Sequence, residues 1–381
     1  MVCLICSEGA YDWNMSKTLG TAVEVPPYNR LGVNYHQAPP RKVSGPIIDA
    51  HMHAHNVQWT GRFLQAADDY GISAFWTMTP LEDVDALRTA FPGRFEFIAI
   101  PKWQDMNSTG EFVEDWQRRV EGFYEKGARL IKFHMAPRTQ KKLGATLDHP
   151  AVRGIMRRAY ELGYHFMSHV GDPKAWFGPG KAYSPQDGHR SFEEQFPMLD
   201  RMLEDFPDRV HVGAHMGGCV EDLEQLQRRL DRFPNYLLDT SATKWVVRAI
   251  AAQPSEVVRD FILRNQDRLL FGSDLVVGEK HPYDHYASRY WVHQKLWETD
   301  YRGESPIADP DTPGGAPLLT GLNLPADVLE KLYRGNAQKW LYEKVLGRCF
   351  RFPVPIPESG PAPTATMAAC KAPVPELTPR A

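Results

Sequence analysis

Five residues of metal-ligand type stand where short apolar runs end: His51 and His53 in IIDAHMH, His169 in HFMSHV, His215 in RVHVGAH and Asp274 in LLFGSD. Side chains two apart on a strand share a face, so His51 and His53 could grip one ion together. Imidazole nitrogens with a carboxylate suit a borderline divalent cation such as zinc, iron or manganese. The H-x-H pair says little by itself, because with 14 histidines in 381 residues such a pair arises by chance about 0.5 times per chain. Position strengthens it: four of eight run ends carry ligand-type residues.

Those runs must be held by a fold that brings their ends together. They are Pro46–His51, Ile72–Met78, Phe95–Pro101, Ala128–His134, His165–Val170, Arg209–His215, Tyr236–Ser241 and Leu269–Asp274, all of strand type. Amphipathic stretches separate them: Gly61–Tyr70, Glu111–Lys126, Ala151–Leu162, Ser191–Phe206, Glu221–Phe233 and Lys244–Arg264, with a last helix over Pro325–Leu346. Eight βα units with buried parallel strands predict an α/β fold, a (β/α)8 TIM barrel, whose catalytic groups sit at the carboxyl ends of the strands. No G-x-G-x-x-G or G-x-x-x-x-G-K-[ST] follows any strand, which disfavours a nucleotide cofactor.

Three segments fall outside the repeat. Residues 1–45 form an arm, residues 275–322 an insertion after the eighth strand, and residues 351–381 a tail with 8 prolines. The barrel proper is expected over 46–350. The insertion holds His281, Tyr283, His285, Tyr286, Tyr290, Trp291, His293 and Trp297, a composition that reads as a lid over the site or as packing against the barrel.

The 44 basic and 47 acidic residues give a net charge of −3, which argues against nucleic acid or an anionic membrane as partner. A mean hydropathy of −0.44, with no apolar run of spanning length, predicts a soluble protein. The apolar stretch at Val2–Cys6 is too short for a secretory signal, so the expected location is the cytoplasm. Five scattered cysteines do not make a disulfide framework, and Cys3-x-x-Cys6 lacks a second pair to complete a zinc site.

The motifs IIDAHMH, MSHVGDP, VGAHMGG, LLFGSD and RGNAQKWL, spread over about residues 46–346, together resemble the amidohydrolase superfamily. The branch resembled contains the aminocarboxymuconate semialdehyde decarboxylase type, the resorcylate decarboxylases and several lactonases. The resemblance implies His51, His53, His169 and Asp274 as ligands of a divalent metal, zinc first, with iron or manganese as alternatives. It implies His215 as acid/base, with Asp274 catalytic as well as ligating. His55 extends the motif to H-x-H-x-H, and Lys132 and His134 share a parity on the fourth strand. With His215 these could hold a second ion, Lys132 as a bridging carbamate as in binuclear amidohydrolases. The sequence favours hydrolysis of an amide, ester or lactone of a small carboxylated substrate, with non-oxidative decarboxylation close behind. A nitrogen-rich pair of ions would instead suit a non-haem iron or iron–manganese oxygenase, and a catalytically dead partner subunit is a third reading. Arg138, Lys174, Trp176, His281 and His285 are the candidate substrate contacts. A homo-oligomer is expected at the level of the fold, or a hetero-oligomer with a related subunit.

Overall fold

The computed structural model describes residues 25–106 and 109–350; the arm's first 24 residues, with Cys3 and Cys6, and the tail from 351 lie outside the described residues. Seven parallel strands follow in chain order: β1 (Ile47–His53), β2 (Ile72–Met78), β3 (Phe95–Ala99), β4 (Leu130–His134), β5 (His165–His169), β6 (His211–Gly213) and β7 (Tyr236–Asp239). Each pairs with its predecessor. Their near-continuous burial is what a parallel sheet covered by helices requires.

The eighth strand is where the barrel closes, and it departs from the expected single run. It is split into β8 (Leu269–Leu270), paired with β7, and β9 (Leu275–Val276), paired with β1. Between them Asp274 adopts a left-handed backbone, φ 57°, which aspartate tolerates better than most residues. The sheet order β8-β7-β6-β5-β4-β3-β2-β1-β9 thus returns to its start through one interrupted strand, completing the (β/α)8 barrel.

The sixth strand is also shorter than its sequence suggests. β6 stops at Gly213, and His215 and Met216 turn left-handed with φ 56° and 53°. The glycines beside this turn are required by space as well as by backbone angle. A Cβ added at Gly171, after β5, would lie 2.1 Å from the Gly218 carbonyl oxygen. The loops carrying His169 and His215 therefore touch backbone to backbone.

The expected helix over Lys244–Arg264 is two helices, Trp245–Ala251 and Ser255–Arg264. Pro254 separates them, since proline cannot donate to a helix and restrains the residue before it. The closing helix starts as Ala326–Glu330 and continues through wide i→i+5 turns over Lys331–Gly335 and Ala337–Val345.

The aromatic residues of the insertion pack against the barrel, one of the two arrangements their composition allows. The insertion's helix Tyr283–Glu298 buries 12 of 16 residues, including Tyr286, Tyr290, Trp291, His293 and Trp297, so it has no broad solvent face. Tyr286 and Tyr290 pack on Phe63 of the helix Val57–Asp69, and Tyr333 of the closing helix hydrogen-bonds Glu298 at 2.8 Å. The arm residues nearest the barrel cover the same helix: Gln294 donates to the Pro39 carbonyl, and Glu298 accepts the Lys42 backbone N–H. The insertion ends in an antiparallel ribbon, β10 (Arg302–Glu304) with β11 (Leu318–Thr320). No helix among the described residues is long and apolar enough to cross a membrane.

Candidate metal centre

At the carboxyl ends of the strands, ligand atoms of His51, His215 and Asp274 all lie within 4.8 Å of one another. β1 delivers His51 and His53 to one place: His51 Nε2 is 3.2 Å and His53 Nε2 3.1 Å from the same Asp274 oxygen, Oδ1. The β1–β2 register shifts between Asp49 and Met52, a local bulge of the kind that re-aims side chains near sites. Asp274 reaches them from the left-handed break between β8 and β9, its backbone N–H held 2.7 Å from the His51 carbonyl.

Around this core stand the remaining sequence-expected residues. Lys132 Nζ on β4 is 2.7 Å from His51 Nε2. The His215 ring lies 4.9 Å from that of His51 and 4.4 Å from that of His169; His169 in turn lies 4.5 Å from His134. His169 Nε2 is paired at 3.0 Å with Asp172 Oδ1, so of the four ligands implied by resemblance it stands one ring outside the compact trio. His134 Nδ1 meets the Thr139 hydroxyl at 2.7 Å. His55 lies beyond the end of β1, where His281 is close enough to oppose its protonation. No hydrogen bond or ring contact joins His55 to Lys132 or His134 among the described residues.

The substrate candidates are not drawn into the cluster. Arg138 is exposed, and exposed Lys174 lies 3.8 Å from Glu193. Trp176 Nε1 donates to Asp311 at 2.9 Å, tying the loop after β5 to the insertion. His281 and His285 stack on each other with centroids 3.9 Å apart.

Two residues that sequence reasoning passed over organise the centre. Asp239, at the end of β7, is fully buried and lies 2.7 Å from His51 Nδ1; it also accepts the His215 backbone N–H at 3.0 Å. Ser241, two residues on, places its hydroxyl 2.8 Å from His215 Nδ1. The signal was present: an aspartate inside the apolar run YLLDTS must find buried partners.

The electrostatics follow from burial and pairing. Burial alone would raise the Asp239 carboxyl, but His51, His215 and Ser241 hold it below the usual carboxylate range. Asp274 is likewise raised by burial and drawn well below that range by His215, His51 and His53. Burial and the Lys132 charge resist protonation of His51, yet Asp239 and Asp274 outweigh them and raise its pKa. Burial pushes His53 down to about 4, and with the neighbouring His169 pushes His215 well below its ordinary value. Ionised carboxylates beside imidazoles, those of His53 and His215 held unprotonated, are the donor set a divalent ion takes, so the residues fit such a group.

A family model described as amidohydrolase matches residues 47–342, from the first strand to the closing helix. The chain belongs to the amidohydrolase family. No curated protein matches the sequence. Among solved structures, a probable 2-pyrone-4,6-dicarboxylic acid hydrolase from Acinetobacter baumannii is 12% identical over 79% of this chain and 99% of its own, with a TM-score of 0.45. A 5-carboxyvanillate decarboxylase from Novosphingobium aromaticivorans is 14% identical over 78% and 96%, TM-score 0.46. A 4-oxalomesaconate hydratase from Rhodopseudomonas palustris is 16% identical over 77% and 95%, TM-score 0.41.

Proposed function

We propose that this amidohydrolase is a metal-dependent hydrolase of a small amide, ester or lactone, with His215 as its acid/base. The observation that carries the reading is the convergence of ligand atoms of His51, His215 and Asp274 to within 4.8 Å of one another. His51 and Asp274, with His53 beside the same carboxylate oxygen, would hold a divalent cation. When bound, such an ion supplies a Lewis acid and lowers the pKa of a water from 15.7 toward about 7.

The chain's own groups do the rest. Buried and unprotonated, the His215 imidazole takes the proton of the attacking water and returns it to the leaving group. Asp239 and Ser241 orient it, while the Trp245 ring, 5.8 Å away, and Trp103 beside His134 narrow solvent access. Lys132, now on His51, adds positive charge where an oxyanion would develop.

Decarboxylation uses the same residues, with the proton delivered to carbon, but no observation here prefers it. Nor does any favour the oxygenase, since one of the four residues expected to make its second centre, His55, is found with His281. The test is metal analysis of purified protein with assays on an amide, ester and lactone panel. Acid release without oxygen uptake or carbon dioxide is expected; His51→Ala and Asp274→Ala retaining full metal content would contradict the reading.

A further inference from the structure

One hydroxyl and one carboxylate at the end of β7 touch both His51 and His215. Ser241 Oγ lies 2.5 Å from Asp239 Oδ1, 2.8 Å from His215 Nδ1 and 3.1 Å from His51 Nδ1. Asp239 Oδ2 lies 2.7 Å from His51 Nδ1. A hydroxyl has a single proton and an ionised carboxylate can only accept. If Ser241 gave its proton to either imidazole, two lone-pair-bearing oxygens would face each other at 2.5 Å with nothing between them. The proton therefore goes to Asp239, and Ser241 presents acceptor lone pairs to the rings. His215 Nδ1 must then carry a proton to donate, and His51 Nδ1 donates to Asp239 Oδ2 and Ser241.

The opposite side of His51 gives the same answer independently. Lys132 Nζ, 2.7 Å from His51 Nε2, has only protons to offer when charged. His51 Nε2 must accept, which again leaves the ring proton on Nδ1.

We infer that Asp239 and Ser241 are positioning residues that lock His51 and His215 into the same Nδ1–H tautomer, so that each Nε2 keeps its lone pair. A ligand and a base both need that lone pair, and one carboxylate secures it on two residues from different strands. Asp239 also accepts the backbone N–H groups of His215 and Ser241, at 3.0 and 3.1 Å, which holds the left-handed turn in place. The tautomer assignment stands on hydrogen-bond geometry alone; its consequence for metal affinity rests on the proposed metal centre. His51 Nε2 and Asp274 Oδ1 lie 3.2 Å apart, and with Nε2 unprotonated the two acceptors are satisfied by a cation against both. Lys132 supplies one in this arrangement, and a divalent ion would supply a stronger one.

Nitrogen-15 NMR of histidine-labelled protein tests this directly, with His51 and His215 assigned by His51→Gln and His215→Gln. Both rings are expected to show a protonated Nδ1 and an unprotonated Nε2 at neutral pH. In Ser241→Ala, the His215 signals should move toward a tautomer mixture while His51, still held by Asp239, keeps its pattern. In Asp239→Asn both should shift, and Ser241→Thr should restore the parent pattern. Zinc affinity should fall about 10–100-fold in Asp239→Asn, which loosens the ligand His51, and hold in Ser241→Ala, whose effect falls on His215. A protonated Nε2 on either histidine of the parent protein, unchanged spectra in Ser241→Ala, or unchanged zinc affinity in Asp239→Asn, would overturn the inference. Failure of the metal reading looks different: the tautomers would be as described, yet His51→Ala and Asp274→Ala would keep their metal.

Discussion

His215 and His293 are both buried imidazoles, 3% and 1% exposed, yet their hydrogen-bond surroundings differ. His215 sits in a left-handed turn with Ser241 and Asp239 behind it and Asp274 and two further histidine rings, His51 and His169, within reach. His293 sits mid-helix among apolar rings, 5.1 Å from Phe271 and 6.4 Å from Trp297. Its Nδ1 accepts the Trp297 indole N–H at 3.2 Å, and its Nε2 has no hydrogen-bond partner among the described residues. Burial alone therefore says nothing about function. What separates the two is the groups behind the ring: Ser241 and Asp239 at the barrel mouth, and the Trp297 indole alone among the described residues at His293.

The contrast is sharpest under mutation. His215→Gln should lower kcat by about 10²–10⁴-fold on whichever amide, ester or lactone is turned over, with little change in the urea midpoint. Trp297→Ala should do the reverse, costing about 3–5 kcal/mol of stability in urea unfolding while kcat of the folded fraction holds. An activity loss in Trp297→Ala as large as that of His215→Gln would erase the distinction.

Acid sensitivity gives a finer cut. Burial depresses His293 from 6.5 to about 3, so as pH falls the unfolded chain takes up this proton first. Its contribution to stability is full above pH 6.5 and is lost progressively between there and pH 3. By about pH 5 the loss amounts to about 2 kcal/mol. His293→Phe should flatten this part of the profile in urea unfolding at pH 7 and pH 5, and an unchanged slope would show that the ring is already solvated. The smallest effect is expected at Lys174, exposed and near Glu193: Lys174→Ala should change KM by less than about twofold, the scale of a surface pair. A tenfold rise would restore Lys174 as a substrate contact.

The same contrast explains what could be read from the sequence. Strand positions came through because each run is mostly apolar, as a parallel strand under helices must be. Ligand-type residues at their ends were visible by position, and His51, His215 and Asp274 do converge. The breaks were not visible: nothing in VGAHMGG shows that His215 leaves the strand left-handed, because that turn depends on Asp239 from the next strand. Asp239 and Ser241 were hidden for a related reason, since their role exists only across β1, β6 and β7. The insertion stayed ambiguous because tyrosine, tryptophan and histidine serve a lid and a buried helix equally well. Only the position of the helix against Phe63 and Tyr333 decides between them.

The most direct test of the account is a zinc titration of metal-free protein by calorimetry, run on the parent chain and on Asp274→Ala, His51→Ala and His293→Phe. The account predicts that the first two variants bind more than about 100-fold more weakly, beyond what losing a supporting partner costs, and that His293→Phe binds as the parent does. Parent-like affinity in both Asp274→Ala and His51→Ala would contradict it.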